Sequence, residues 1–335
     1  MLRGPVDDVV AEKRQVAPMP PLWPASLSAY LAWPGEFENY FRDCFGFRTA
    51  LLKFAHQTSA ALRLENPRSV GVLRGKEDWL FYSPVDEVNP IDIHAGRLVF
   101  GPAEIEKIVG RLVAWERWLG ARGTAFFLMV PPDKISVYPQ YAPTGLTFSP
   151  RPETTNELLR SLQAAGLRMI DPLARLQERG KVDPTLYHHR DTHWPKKGAL
   201  IGYAPLGDAL AARYPTRAAV AESEVSVIRD VPADGDLELM LGATDADPEL
   251  VYRLDWTGQS GLAGNTALPR AIIFHDSFMT DLRDILQVHF SEDEFHGTPK
   301  LSATAIERFN PDVVILEIVE RNLYLTLSQE PPPGH

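Results

Sequence analysis

Cysteine is almost missing: Cys44 is the one thiol in 335 residues. No internal disulfide can form, so the fold rests on its core in whichever redox compartment it occupies. Long hydrophobic runs are missing as well. No window approaches the ~18 consecutive apolar residues of a membrane span, and residues 1–24 lack the apolar middle of a secretory signal. The chain therefore reads as soluble. Runs of basic residues are absent too. Asp and Glu number 44 against 34 Lys and Arg, a net charge of −10. With no cluster of positive charge to match a phosphate backbone, nucleic acid is excluded as a partner. There is no internal repeat. What is present is apolar material, 44% hydrophobic and 10% aromatic, ample for one large domain or a domain with an appendage.

Composition along the chain suggests four regions. Residues 1–27 hold five prolines, densest in "APMPPLWP", and read as an extended leader. Residues 28–100 read as a helical extension followed by a hairpin, both packing on the core. In "FENYFRDCFGFRTALLKFAHQTSAALRL", Phe37, Tyr40, Phe41, Phe45, Leu51, Leu52, Phe54 and Ala55 recur at roughly helical spacing, interrupted near Gly46. "VGVLRGKEDWLFY" predicts a hairpin from Val70 to Tyr82, turning at Gly75. From residue 101 to 325 helical and strand patterns alternate, which predicts a parallel sheet covered on both faces. The strands are "TAFFLMV", "LRMI", "RAIIF" and "DVVILEIV"; the helices include "PAEIEKIVGRLVAWERWLGARG", "DPLARLQERG", "KKGALIGYAPLGDALAARY" and "FMTDLRDIL". Between Ser223 and Asn265 the rhythm degrades into the Gly/Asp-rich "ADGDLELMLGATDAD", an excursion that borders a cleft. Residues 326–335 are a tail.

The chemistry concentrates in "HRDTHWPKKGAL", residues 189–200. Three readings compete. His188, His189, Asp191 and His193 have metal-ligand chemistry, but helical zinc sites place two His four apart on one face of a helix, and here Pro195 follows at once. Alternatively Asp191 or Thr192 merely caps the helix that begins near Pro195. The third reading needs a nucleophile elsewhere, and "RAIIFHDSFMTDL" supplies one. There Ser277 follows a short apolar strand and precedes a helical run, which places it at the carboxyl edge of a parallel sheet beside free backbone N–H groups. Its plain alternative is an N-cap serine. Open α/β sheets gather functional loops at the carboxyl ends of their strands, so the two loops are expected to meet. On an extended loop, residues two apart point the same way. Asp191 then accepts the Nδ1–H of His193 and leaves Nε2 facing Ser277. This makes the stretch the acid–base half of a triad, and no metal or cofactor is required.

"DTHW" followed later by "DSF" resembles the SGNH-hydrolase-like domain of the alginate O-acetyltransferase family, of the AlgJ/AlgX type, which acts in bacterial exopolysaccharide acetylation. "FENYFRDCFGFR", "GKEDWLFY", "VPPDKISVYPQY" and "VILEIVERNL" also look like that family, so the resemblance covers about residues 20–325. It implies an α/β fold, a circularly permuted SGNH-like parallel sheet with helices on both faces, preceded by the helical N-terminal extension. By the same resemblance the triad is Ser277, His193 and Asp191, with Ser277 forming an acetyl intermediate and N–H groups near Ser277 and Phe278 holding the oxyanion. It implies a secreted polysaccharide as acceptor, acetyl groups supplied through a membrane-bound O-acyltransferase partner, and a periplasmic location with an inner-membrane anchor that this chain does not carry. The Gly of many relatives is His275 here, and the chain ends soon after its last strand, which favours a single-domain version. Further pocket candidates are Asp133 and Lys134 after "FFLMV", Tyr138 and Trp194 as sugar-stacking or core aromatics, and Arg321, which with Glu320 lies at a strand's carboxyl end and has as its plain alternative no more than a surface ion pair. An acetylesterase with the same triad and an inactive polysaccharide-binding or assembly subunit are the alternatives.

Overall fold

Runs that are apolar at every position, "AFFLM", "AIIF" and "VVILE", are buried at every residue, as expected of strands covered on both faces. In a computed structural model of the chain, the described residues are 19–21, 33, 36, 71–85, 87–144, 149–214, 219–233, 235–241, 249–256 and 267–334, with backbone alone for 226–233 and 249–256. The Pro-rich leader and the helical pattern from Phe37 to Ala55 lie outside the described residues.

In chain order, β1 (Val72–Arg74) and β2 (Leu80–Tyr82) pair as an antiparallel hairpin. They are followed by α1 (Pro90–His94), α2 (Pro102–Gly120), β3 (Ala125–Met129) and the single turn α3 (Lys134–Val137). Next come α4 (Glu153–Ala164), β4 (Arg168–Ile170), α5 (Leu173–Gly180) and α6 (Lys196–Arg213). β5 (Val225–Ala233) and β6 (Glu249–Trp256) form a separate antiparallel ribbon, with α7 (Asp236–Met240) between them. The chain then runs through β7 (Arg270–Phe274), a 3-10 turn (Ser277–Asp281), α8 (Arg283–Gln287), β8 (Glu292–His296), α9 (Ala303–Phe309) and β9 (Val313–Glu317), and enters a 3-10 segment (Glu320–Ser328).

The main sheet has the order β4-β3-β9-β7-β8, and every pair in it is parallel. Successive strand residues point to opposite faces, and the core divides accordingly. Phe126, Leu128, Ile272, Phe274, Val314 and Leu316 pack against α2, α4 and α9. Phe127, Met129, Ile273, Val313 and Ile315 pack with residues of α5, α6 and α8 and with Trp79 and Phe81 of the hairpin. The α/β architecture with helices on both faces agrees with the sequence.

The departures have physical reasons. β8 reads "EDEFH" and is partly exposed along its length; a charged edge strand carries no apolar signature. The helix expected over "FMTDLRDIL" opens instead as a 3-10 turn, because Asp276 caps the Phe278 N–H and α8 begins at Arg283. Ser277 therefore sits on a tight turn rather than at the positive end of an α-helix. The degraded stretch after Ser223 is the β5/β6 ribbon, and its return through α7 reaches the site.

Candidate active site

β3 and β4 run outward on one side of β9, and β7 and β8 on the other. The carboxyl ends of β3, β9 and β7 therefore meet where the winding reverses, the place where open α/β sheets form crevices. β7 leads into His275, Asp276 and the exposed Ser277. The loop before α6 brings His193 to the same point. Its Nε2 lies 2.7 Å from Ser277 Oγ and its Nδ1 lies 2.7 Å from Asp191 Oδ1. Asp191 Oδ1 also accepts the His193 N–H at 2.8 Å, which closes the Asp-x-His stretch on itself. Burial would raise the Asp191 pKa, but the hydrogen bonds and charge of His193, with the Asp236 N–H, outweigh it and hold the carboxyl well below its ordinary value. It is a carboxylate, and its partner nitrogen is the protonated one. The arrangement orients a base toward a hydroxyl.

Asp236 carried no signal in the sequence beyond lying in a Gly/Asp-rich stretch. Its N–H donates to Asp191 Oδ2 at 2.9 Å, and its Oδ1 accepts the Thr192 N–H at 2.7 Å and the Thr192 hydroxyl at 3.0 Å. Its other oxygen is 3.6 Å from His193 Nδ1, so the imidazole faces two carboxylates. Asp276 stands in the "DSF" motif, which gives it no role of its own. Its Oδ1 accepts the Phe278 N–H at 3.0 Å, its Oδ2 accepts Val319 N–H at 2.8 Å and Asn322 Nδ2 at 3.2 Å, and its own N–H donates to Glu317 Oε2 at 3.1 Å. The turn that carries Ser277 is thus tied to the end of β9. The Phe278 N–H, an expected oxyanion donor, already has an acceptor.

The remaining candidates separate. Phe278 is buried, with its ring 5.2 Å from the His193 ring and under the Arg321 guanidinium at 5.3 Å. Tyr138 and Trp194 are fully buried. Tyr138 donates to Asp183 O at 2.6 Å, and Trp194 Nε1 donates to Phe278 O at 3.0 Å. Neither presents a face to a sugar; both are core residues whose polar tips are satisfied. His275 turns onto Asp276 O at 2.7 Å and edge-on to Phe295 of β8, away from any oxyanion role. Burial and the Arg283 charge hold its pKa below normal despite Asp276.

Glu320 and Arg321 are no surface pair. Both are buried, at 2% and 8% exposure, and they bind different partners. Arg321 donates to Asp133 at 2.5 Å, while Glu320 receives Arg151 at 2.8 Å and Ser136 Oγ at 2.5 Å. Burial alone would raise Glu320, but Arg151 prevails and lowers it. Lys134 is also buried. Its ammonium donates to the backbone carbonyls of His188 at 3.0 Å, His189 at 3.1 Å and Asp191 at 2.8 Å. A pocket of about 260 Å³, counted to its open mouth, lies beside Thr192 and is bounded by Phe81, Tyr82, Ile91, Asp133 and Arg321.

Two groupings among the described residues have metal-ligand composition: His94 with Asp133 and Glu320, and Asp191 with His193 and Asp236. In the first, Arg321 and Arg151 already neutralise the carboxylates. In the second, both His193 nitrogens are engaged, so a cation would have to displace the serine or the carboxylate.

The family model of the SGNH hydrolase-like domain of acetyltransferase AlgX matches residues 72–267. That span includes Asp191 and His193 and stops short of Ser277. A protein from Pseudomonas syringae pv. tomato named probable alginate O-acetylase AlgJ is 26% identical over 211 residues, which are 62% of this chain and 50% of that relative; the chain thus spans half the relative's length. Among solved structures, the O-acetyltransferase domain of Pseudomonas putida AlgJ aligns with TM-score 0.51 at 20% identity, covering 76% of this chain and 92% of that one. Bacillus cereus PatB1 aligns with TM-score 0.55 at 14% identity, covering 75% and 96%. At these identities the two structures share the fold.

Proposed function

Since the chain belongs to the family of the SGNH hydrolase-like domain of acetyltransferase AlgX, we propose that it transfers acetyl groups to hydroxyls of a secreted polysaccharide through an acetyl-Ser277 intermediate. The observation that carries the reading is the continuous pair of 2.7 Å contacts from Asp191 through His193 to Ser277. The relative named for alginate O-acetylation supports an anionic exopolysaccharide as acceptor.

In this mechanism His193 Nε2 takes the Ser277 proton as Oγ attacks the acetyl carbonyl. Asp191 keeps Nδ1–H in place and stabilises the imidazolium that forms. The Ser277 N–H, on the turn fixed by Asp276, is the backbone donor assigned to the oxyanion. Collapse expels the donor's alcohol or thiol with the proton from His193, leaving acetyl-Ser277. A sugar hydroxyl then gives its proton to His193 and attacks, and Ser277 departs with that proton returned from His193, yielding the O-acetyl sugar and the free serine. Acetyl groups would be supplied through a membrane-bound O-acyltransferase partner and the setting would be the periplasm, both by family likeness.

The test is transfer from a chromogenic acetate ester to bacterial oligosaccharides of uronic acid and neutral types. We expect slow hydrolysis without acceptor and, with acceptor, a mass gain of ~42 Da per acetyl carried through the acyl-enzyme. Ser277→Ala and His193→Ala should each abolish nearly all activity, and the double variant should be little worse, because such residues act as a unit. Substantial activity in Ser277→Ala would remove that serine from the mechanism. Free acetate alone across the panel, with efficient deacetylation of acetylated polymers, would replace transfer by hydrolysis.

A further inference from the structure

We propose that Lys134 is the positioning residue of the acid–base loop: its ammonium, by drawing three backbone carbonyls to one point, sets the curl that aims His193 at Ser277. The inference rests on the Ser277–His193–Asp191 reading. The acceptors are the carbonyls of His188, His189 and Asp191, at 2.8 to 3.1 Å. An ammonium has three donors, and here three acceptors from one four-residue stretch meet them. Three carbonyl oxygens turned toward one point repel one another, and the lysine charge is what makes that curl favourable.

The loop has other ties. The His189 carbonyl also accepts Leu80 N–H at 2.9 Å, and the Arg190 carbonyl accepts Leu237 and Glu238 N–H at 3.2 and 3.3 Å. His188 N–H donates to His193 O at 3.2 Å. These tie the loop to the hairpin, to α7 and to itself, whereas Lys134 reaches across positions 188, 189 and 191 from one point. It does so from the first turn after β3, a rigid central strand, with its ammonium 5.7 and 5.4 Å from the Trp79 and Phe81 ring centroids. The Asp191 carbonyl it holds belongs to the residue whose carboxylate orients His193. A shift of about 1 Å at such a point can cost ~10²-fold in rate.

Arginine cannot take over, because its planar fork suits two parallel acceptors rather than three converging ones. Methionine keeps the stem and loses the donors. The readout is the rate at which a fluorophosphonate labels Ser277, with kcat and KM for a small acetate ester, on protein whose circular dichroism is native. Lys134→Met and Lys134→Arg should label and turn over more slowly, by up to ~10²-fold, with the loss in kcat and KM for the small ester unchanged. Lys134→Ala should regain rate saturably in ethylammonium chloride and not in tetramethylammonium chloride at equal ionic strength, since the latter has no donor. Native Lys134→Met that labels at the wild-type rate would overturn the proposal. Should Lys134→Met not fold, Lys134→Ala prepared in ethylammonium decides. Rate lost on removing the amine while circular dichroism stays native supports positioning; rate and fold lost together make Lys134 a fold residue and overturn it. If wild type labels no faster than Ser277→Ala, the nucleophile reading and this inference fall together; if wild type labels and the Lys134 variants match it, this inference alone fails.

Discussion

Two carboxyl groups near Ser277 have been pushed in opposite directions, and each push has a consequence for stability. Asp191 is held below its ordinary pKa. Such a group stabilises the fold above its unfolded pKa of about 3.9, and that stability is lost as pH falls through the folded value. Glu317, at the end of β9, is fully buried, and burial followed by the charge of Asp276 raises it well above normal, against the Asp276 N–H bond and Arg321. Its Oε1 has no hydrogen-bond partner among the described residues, the position of a carboxyl that keeps its proton. For a raised acid the sign reverses. The contribution is fully present below the unfolded pKa of about 4.3 and is lost as pH rises toward the folded value, because the unfolded chain can ionise where the folded one resists. Glutamine reproduces the neutral carboxyl, with an oxygen to take the Asp276 N–H. Glu317→Gln should therefore match wild type in Tm near pH 4 and exceed it increasingly toward pH 8. Thermal melts of both proteins across that range check this. Equal Tm at pH 8 would mean that Glu317 is ionised in the folded protein.

At the scale of elements, the site is an agreement between strand ends and short segments that come to meet them, and α7 and the Asp191 loop meet backbone to backbone. A Cβ on Gly235 would lie 2.1 Å from Arg190 O and 2.4 Å from Arg190 C; both are backbone atoms, so one segment must move. Gly235→Ala should then draw Asp236 away from Asp191 and Thr192 and lower kcat for a small ester by ~10-fold or more, on the sensitivity of catalysis to misplacement. Gly110→Ala is the control. It is exposed on α2 with open space at its Cβ, and should leave kcat unchanged while stabilising the protein by up to ~1 kcal/mol. Equal kcat in both variants would show that α7 does not hold the loop. The same contact marks where sequence reading stops. β3, β7 and β9 announce themselves because strands buried on both faces are written as unbroken apolar runs. Asp191, His193 and Ser277 stand out because the chemistry is local: two residues apart on a loop, or at a strand end. Asp236 and Asp276 are missed because most of their hydrogen bonds reach residues 40 or more positions away. Glu320 and Arg321 look like a surface pair because adjacency in sequence hides that each is buried with a different partner. Trp194 and Tyr138 show aromatic content without showing which way a ring faces.

For the whole molecule, the net charge of −10 and the proposed acceptor pull in different directions. A polyuronate approaching the Ser277 cleft meets the carboxylates of Asp191, Asp236 and Asp276, while cations around it are engaged: Arg321 by Asp133, Arg190 by Glu238, Lys196 by Asp284, and Lys134 by backbone. Long-range attraction is thus not what brings an anionic polymer in; recognition has to come from local contacts made after a repulsive approach. Salt separates the two. Raising ionic strength from 0.01 to 0.15 M shortens the screening length from about 30 to about 8 Å, which removes most of the repulsion between the protein and an incoming chain and leaves short contacts in place. With an oligouronate acceptor, KM should fall across that range while kcat holds, since the reacting hydroxyl carries no charge and the Asp191–His193–Ser277 array is held by direct hydrogen bonds. A neutral oligosaccharide of equal length should show no trend in KM. This is opposite in sign to a protein that captures polyanions on a basic face, where salt weakens binding by displacing released counterions. Initial rates of acetyl transfer to both acceptors at a series of salt concentrations decide it: a KM for oligouronate that rises with salt would mean that cations not yet identified at the site line the acceptor's path, and the repulsive approach argued from net charge would be wrong.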